Sequence, residues 1–325
     1  MKIALIAPDG YEGFFEYFRP FVTPSRAYEW KGVRFELNPS GGVFDGAVVH
    51  QSTRDLGRVH HIICPPGRTL LALKEPPDIC FLPGGYLAQF GGVLCHDTRV
   101  PRRRRLLGPG GHHWFVEVPF DEIEPTRFTA KPKLLSAVVS AKTTTVGHRK
   151  RLAFMRALKA HFGDELDWWG RGIKDLTEPK ITALAEYRYH IAIENGAWPG
   201  YWTEKLIDCY VANCVPIYWG APDVGAWFDP ETIVPIDLGD PAGAIARIEA
   251  AIESDLFTRL QPALAAQRRR ILDEYHPYEI YLRALDALPA TEPRPISIAP
   301  RAAFPFTLGD RVKNRVWRLL NRRNL

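Results

Sequence analysis

The chain has 325 residues, 46% of them hydrophobic and 24% charged, with a formal net charge of +5 at pH 7. That composition excludes disordered, collagen-like and disulfide-framework proteins, and the length suits about two domains of roughly 100–200 residues. No stretch reaches the roughly 18 apolar residues of a membrane span, and the opening MKIALIAPDG lacks a signal-peptide pattern. The five cysteines (Cys64, Cys80, Cys95, Cys209, Cys214) show no metal-binding spacing, and four lie in apolar runs, as reduced core thiols of a cytosolic protein would.

In chain order, residues 2–7 read as a first β-strand, followed by short strands at 33–37, 47–50, 69–73 and 92–96. The strand at 69–73 runs into Lys74-Glu75-Pro76-Pro77. The two prolines fix the backbone and place the Glu75 carboxylate at the strand's carboxyl end. Glu75 there reads either as a functional acid or as a surface acid paired with Lys74. Residues 102–105 are four consecutive arginines. Residues 124–132 are polar with two prolines, the best interdomain linker in the sequence.

Beyond it, residues 133–140 form an apolar β-rich strand, then a basic turn that holds Lys142, His148, Arg149 and Arg151, then a helix from about Leu152. Residues 187–220, YRYHIAIENGAWPGYWTEKLIDCYVANCVPIYWG, are the most informative stretch. An apolar strand at 189–193 breaks at Gly196, Pro199 and Gly200. Thr203 can cap a helix whose apolar positions Leu206, Ile207, Tyr210, Val211 and Cys214 recur at helical spacing, and residues 215–219 return as a strand. In such a βαβ unit, ligands bind beyond the carboxyl ends of the strands, where helix N-termini favour anions. Glu194, Asn195, Tyr201, Glu204 and Lys205 all fall there, and a cation, two carboxylates, an amide and a phenol suit a ribose plus a diphosphate. A strand is expected at 233–236 and helices near 241–253 and 259–275. Residues 288–305, rich in proline and alanine, read as a linker.

The tail at 310–325 sets Val312, Val316, Leu319 and Leu320 on one helical face, with Trp317 at its edge. Arg311, Lys313, Arg315, Arg318, Arg322 and Arg323 supply charge. Such a helix can lie on an anionic membrane surface or pack back on its domain. The adjacent pairs His60-His61 and His112-His113 point to opposite faces of an extended chain and have no third ligand at a convincing spacing, so no metal site is expected. There is no D-x-D motif; Asp164 and Asp167 read as lining a turn, and Gly170-Arg171-Gly172 as turn glycines.

Ile193-Glu194-Asn195, Tyr201-Trp202-Thr203-Glu204-Lys205 and Val215-Pro216-Ile217-Tyr218-Trp219-Gly220 resemble, in order and spacing, the donor-binding motif of the family 10 glycosyltransferases, the α-1,3/α-1,4-fucosyltransferases. The likeness runs from about 134 to 238, with Ile193 where phenylalanine is common. Upstream, the family's strand–Ser–Arg–aromatic pattern aligns Arg151, three residues before Phe154, as a diphosphate clamp whose planar fork can pair with phosphate oxygens twice. Lys74-Glu75-Pro76-Pro77 is similar to the family's acidic turn, which carries its proposed base, and residues 91–97 to the strand after it.

The resemblance implies a GT-B architecture: two Rossmann-like α/β domains facing across a cleft. The expected division is an acceptor-binding domain at 1–125, a donor-binding domain at 133–288, and a linker with a basic tail at 289–325. The implied activity is inverting, metal-independent transfer of L-fucose from GDP-fucose to a hydroxyl of a glycan of cell-surface polysaccharide or lipopolysaccharide type. Glu75 would act as base, and Arg151 and Lys205 would stabilise charge on the departing diphosphate. Asn195, Tyr201 and Glu204, beside Arg151 and Lys205, would hold the donor. The absence of an anchor span points to a bacterial-type cytosolic enzyme, peripheral on the inner face of the membrane. Another nucleotide sugar is the alternative donor. A nucleic-acid-binding protein using the arginine clusters is the alternative of another class, although no stacking platform lies among them.

Overall fold

A computed structural model of the chain describes residues 1–11, 28–51, 54–123, 128–143 and 146–321. It divides into two compact units, Met1–His112 with Pro119–Asp121 and Glu274–Leu325, and His113–Val118 with Glu122–Asp273. The first unit begins with strands β1 (Lys2–Ile6), β2 (Glu29–Trp30), β3 (Val33–Leu37), β4 (Gly46–Gln51), β5 (His60–Cys64) and β6 (Thr69–Leu73), the helical turn α1 (Gly84–Leu87), β7 (Gly92–Cys95) and β8 (Arg105–Leu107). The second holds β9 (Lys133–Val138), helix α2 (Val146–Phe162), β10 (Leu166–Trp169), β11 (Tyr187–Ile193), α3 (Glu204–Val211), β12 (Val215–Trp219), β13 (Val234–Pro235), α4 (Pro241–Glu253), α5 (Leu256–Arg259) and α6 (Gln261–Asp273). The chain then returns to the first unit with α7 (Pro277–Asp286), β14 (Arg294–Ile298) and α8 (Leu308–Leu320).

The first unit's main sheet has the order β2-β3-β1-β4-β6-β7-β8, parallel throughout except for the β2–β3 pair. Buried parallel strands read as continuous apolar runs, and β6 (TLLAL) is buried along its whole length. One face packs a core that includes Ile6, Val49, Leu71, Tyr86 and Val93. Helix α7 contributes Tyr278, Tyr281 and Leu285, all fully buried, with Tyr278 stacked on Phe35 at 4.2 Å between ring centroids. A Cβ on Gly111 would stand 2.6 Å from the Tyr281 ring, so this close approach needs glycine.

The second unit's sheet has the order β10-β9-β11-β12-β13, all parallel. Its strand order reverses between β9 and β11, the switch point where doubly wound sheets bind ligands. Leu152, Met155, Leu158 and Phe162 form the buried stripe of α2 at helical spacing, and Ala244, Ile248 and Ala251 that of α4.

Two parallel α/β units are what the resemblance implies for the fold. The division of the chain differs at its C-terminal side. Helix α7, which falls in the expected donor-binding domain, belongs to the first unit, because its apolar face is already committed to Phe35 and the β-sheet there. The expected linker at 288–305 is not irregular. Its Ile296 and Ile298 alternate with solvent-facing residues, and β14 pairs antiparallel with β5 from Arg294↔Cys64 to Ile298↔His60. Asp167 lies within β10, not in a turn, and accepts the Tyr187 hydroxyl at 2.6 Å. Part of the expected interdomain linker (124–127) and the tail arginines Arg322 and Arg323 lie outside the described residues.

Candidate active site

At the switch point, the loop after β9 leads into α2 and the loop after β11 leads into α3. Arg151 lies in the second turn of α2, which begins at Val146, six residues before the expected start. It is not at the loop–helix junction but buried, 8% exposed, and its Nη1 donates to Asn195 Oδ1 at 2.9 Å. Burial holds the guanidinium below its ordinary value, while Tyr201 and Glu194 work the other way. Arg151 and Asn195, 44 positions apart in sequence, thus meet across the reversal of strand order.

The second cluster is built on Glu194, which extends the β11 ladder by donating its backbone N–H to Trp219 O at 2.9 Å. Its side chain is fully buried. The carboxylate accepts the Thr203 backbone N–H at 2.7 Å and the Thr203 hydroxyl at 2.7 Å. Thr203 is the expected cap of α3, its oxygen accepting Lys205 N–H at 3.3 Å. Lys205 Nζ lies 3.0 Å from Glu204 Oε1 and 3.6 Å from Glu194 Oε2. Burial opposes the ammonium charge, but the Glu204 and Glu194 carboxylates outweigh it and raise Lys205 above its ordinary value. The motif's terminal glycine closes the arrangement. A Cβ at Gly220 would stand 2.4 Å from Glu194 Cγ and 2.3 Å from the Tyr218 hydroxyl, which accepts Ala221 N–H at 3.0 Å.

The loop between Glu194 and Thr203 is held from below. Gly200, at φ +69°, donates its N–H to Asp223 Oδ1 at 2.6 Å. Trp202 packs edge-on against Phe228 at 5.1 Å. Tyr201 is buried, so it forms part of the wall of this loop. Beneath α3, the Asp208 carboxylate binds Lys180 Nζ at 2.7 Å and Phe115 N–H at 2.7 Å, anchoring the helix from its inner side. Of the companions expected beside Arg151, His148 is half-buried and lowered by burial and by the Arg151 and Lys142 charges. Arg149 donates to Thr143 O at 3.0 Å on the surface.

The structure therefore brings Arg151 to Asn195 and Lys205 to Glu204. Sequence reasoning counted Glu194 among the ligand-facing groups of the loop; its carboxylate is instead fully buried and organises both Thr203 and Lys205. Its signal was an acid at the end of a run of buried strand residues, where a carboxylate must find hydrogen-bond partners. Gly170 proves a turn glycine: at φ +144° a Cβ there would meet Val139 O at 2.3 Å. Glu75 lies in the first unit, half-buried, immediately after β6, as the sequence placed it.

His60 is buried and His61 exposed, as alternation along β5 dictates. Among the described residues no group of three or more His, Cys, Asp or Glu is placed to hold a metal ion. The five cysteines are all buried and unpaired, and burial pushes Cys64 and Cys80 up to about 11. Two arginines of the 102–105 run are tied to the first unit: Arg104 to the Ala88 and Phe90 carbonyls and Arg105 to Thr98 O.

Residues 128–238, which contain Arg151, the Glu194–Thr203–Lys205 cluster and Gly220, match the C-terminal region of glycosyltransferase family 10 (fucosyltransferase). Over this segment the chain is similar to glycosyltransferase family 10. The chain is 43% identical over 51 residues to the α-(1,3)-fucosyltransferase FucT of Helicobacter pylori, a stretch that is 16% of this chain and 11% of that one. It is 39% identical over 56 residues to α-(1,3)-fucosyltransferase B of Drosophila melanogaster, 17% of this chain and 13% of that one. The chain therefore spans only a small part of the length of the curated relatives it matches. Among solved structures, it aligns with an α1,3-fucosyltransferase crystallised with GDP at a TM-score of 0.48 and 16% identity, covering 85% of this chain and 92% of the other.

Proposed function

We propose that the protein is an inverting glycosyltransferase that moves L-fucose from GDP-fucose to a hydroxyl of a glycan of cell-surface polysaccharide or lipopolysaccharide type. The observation that carries this reading is the meeting of Arg151 with Asn195 across the switch point, beside the Glu194–Thr203–Lys205 cluster, inside the family 10 segment. Arg151 presents a planar fork to the diphosphate and Lys205 a point charge, and together they stabilise the charge that grows on GDP as the glycosidic bond breaks. Glu204 and Asn195 accept and donate to the ribose and the sugar, with Tyr201 fixing the loop that carries them. Orientation of the donor in this way lowers the barrier before any proton moves.

Glu75 serves as the base. It takes the proton of the acceptor hydroxyl while the oxygen attacks the anomeric carbon from the face opposite GDP, so that the configuration inverts. The charge needed at the diphosphate comes from side chains, so no metal is required in this reading. Enzyme and donor meet in the cytoplasm. There the outer face of α8, with Leu308, Val312, Val316, Leu319 and Leu320 exposed beside Arg311, Arg315 and Arg318, rests on the anionic inner surface of the membrane.

The test is a thermal-shift panel of nucleotides and nucleotide sugars, followed by GDP release with a panel of glycans. GDP-fucose or GDP at 100 times its Kd should add about 2.7 kcal/mol of stability. Stabilisation by another nucleotide sugar and none by GDP-fucose would reassign the donor, and none by any of them would remove the donor site.

A further inference from the structure

The first unit contains a cluster that the proposed transfer does not use. Arg99 is 4% exposed and lies between two rings, its guanidinium carbon 4.5 Å from the Phe81 centroid and 4.0 Å from that of Trp317. Its Nε donates to both oxygens of Asp97 at 2.9 and 3.0 Å, and its Nη1 to Asn314 Oδ1 at 2.5 Å. Its Nη2 donates to the carbonyl of Pro77. Pro77 is two residues after Glu75. The turn between them is tight, with Ile79 and Cys80 N–H both donating to Pro76 O at 3.1 and 3.0 Å.

Trp317 and Asn314 both belong to α8, in the C-terminal tail. That helix is seated on the first unit by several contacts besides Arg99. Trp317 Nε1 donates to Thr98 Oγ1 at 3.1 Å, Lys313 donates to the Arg99 carbonyl, and Asp310 accepts Gly84 N–H at 3.2 Å while completing a capping box with Thr307. Phe306, just before the helix, stacks on Phe81 at 5.2 Å. The inner face of the tail is therefore built to hold one buried arginine in one orientation.

We propose that α8 is a clamp that positions the acidic turn: Trp317 and Asn314 fix Arg99, and Arg99 fixes the Pro77 carbonyl and with it the direction of the Glu75 carboxylate. This rests on the reading of Glu75 as base, and makes Arg99, Asn314 and Trp317 positioning residues. An arginine suits the task because its fork can bind a carboxylate, an amide and a carbonyl at once while both faces stack on aromatic rings. Two prolines beside the anchored carbonyl leave little backbone freedom between the anchor and the acid. The tail is thus not a separable appendage. A helix with one face on the membrane and the other on this turn makes the acid's orientation depend on docking of the tail.

The experiment compares Trp317→Ala, Trp317→Phe and the unaltered chain by kinetics and amide exchange. Trp317→Ala should lower kcat for transfer about 10-fold or more, since displacements of about 1 Å at a reacting group cost up to 100-fold. Its affinity for GDP and its KM for GDP-fucose should not change, because the donor residues are all carried by the second unit. Exchange at Ile79 and Cys80 N–H should accelerate while β11 amides keep their protection. Trp317→Phe, which restores a ring over Arg99, should recover both kcat and slow exchange.

If Trp317→Ala does not fold, Asn314→Ala removes one bond from Arg99 and should produce the same pattern at a few-fold. Unchanged kcat, or unchanged exchange at Ile79 and Cys80, overturns the clamp. Full activity of Glu75→Gln removes the base itself, whereas loss of activity in Glu75→Gln beside a normal Trp317→Ala overturns the clamp alone.

Discussion

Glu194→Ala is the sharpest test of how the proposed donor site is assembled. The carboxylate is fully buried and makes two bonds of 2.7 Å to Thr203, one to its N–H and one to its hydroxyl, with Lys205 Nζ 3.6 Å away. Truncation leaves a buried N–H and hydroxyl unpaired and opens space beneath Gly220. Hydrogen bonds to a charged group contribute about 1.5–3 kcal/mol each, and removing one partner of a buried charge pair costs about 3–5 kcal/mol in all. The larger figure overstates the effect, because Lys205 keeps Glu204 as a partner at 3.0 Å. The expected loss is therefore about 3 kcal/mol. That lowers the melting temperature of a unit this size by about 6–12 °C. Urea titration followed by tryptophan fluorescence reads the loss as a lower midpoint, and calorimetric titration with GDP reads the accompanying loss of affinity. Glu194→Gln keeps the shape and one acceptor and should fall between. A midpoint and a GDP affinity both equal to those of the unaltered chain in Glu194→Ala would refute the view that this carboxylate organises the loop.

Gly220→Ala should destabilise by about 1–3 kcal/mol and weaken GDP binding, since its Cβ must displace Glu194 or Tyr218; a neutral urea midpoint would show that both can move aside. Lys205→Ala and Arg151→Ala should each lower transfer on the order of 100-fold, and either variant with a near-normal kcat/KM leaves the site. Both variants should also lose measurable stability, Arg151→Ala because its side chain is buried and Lys205→Ala because it leaves the fully buried Glu194 carboxylate without its cation. Glu75→Gln should bind GDP normally and fail to transfer, and a matching drop in GDP affinity would place Glu75 with the donor instead. His190, buried beside Ser136 with its Nδ1 2.7 Å from Oγ, is pushed down to about 3 by burial, with the Lys180 and Lys131 charges adding. The unfolded chain takes up this proton first, so stability is complete above about pH 6.5 and falls as pH drops toward 3, by up to several kcal/mol. Urea midpoints against pH should slope over that window and flatten in His190→Gln; equal slopes would assign the acid loss to other groups.

What the sequence revealed and what it hid follow from the range of the interactions. Strand β11, the Thr203 cap, α3 and β12 were legible because each carries a local signal, an apolar run, a capping residue or a helical spacing, and Val215–Trp219 begins and ends where its apolar run does. Strand β5 was hidden because its partner β14 is more than 200 residues away and its His-His opening reads as polar. The proline and alanine around β14 then disguised Ile296 and Ile298. The ends of the loops pointed to Asn195, Glu204 and Lys205 as polar groups clustered after an apolar strand, and the family pattern to Arg151; the structure brings Arg151 to Asn195 and Lys205 to Glu204. The inward role of Glu194, read from the sequence as facing a ligand, escaped because a buried acid shows its partners only once the chain has folded. Trp317 was read as the edge of a surface helix, and its inner contact with Arg99, 218 positions earlier, has no local signature.

The return of residues 274–325 to the first unit has a consequence for biosynthesis. When the ribosome has made the first 112 residues, Phe35 and the sheet face beside Gly46 still lack Tyr278, Tyr281 and Leu285, and β5 still lacks β14. At about 5–20 residues per second, that surface waits on the order of ten seconds or more for its cover, while the intervening unit can complete itself. The nascent N-terminal segment is thus a natural client for a chaperone, and a fragment ending near residue 273 should aggregate when expressed alone. Insertions that delay or misdirect α7 would damage the half of the protein translated first.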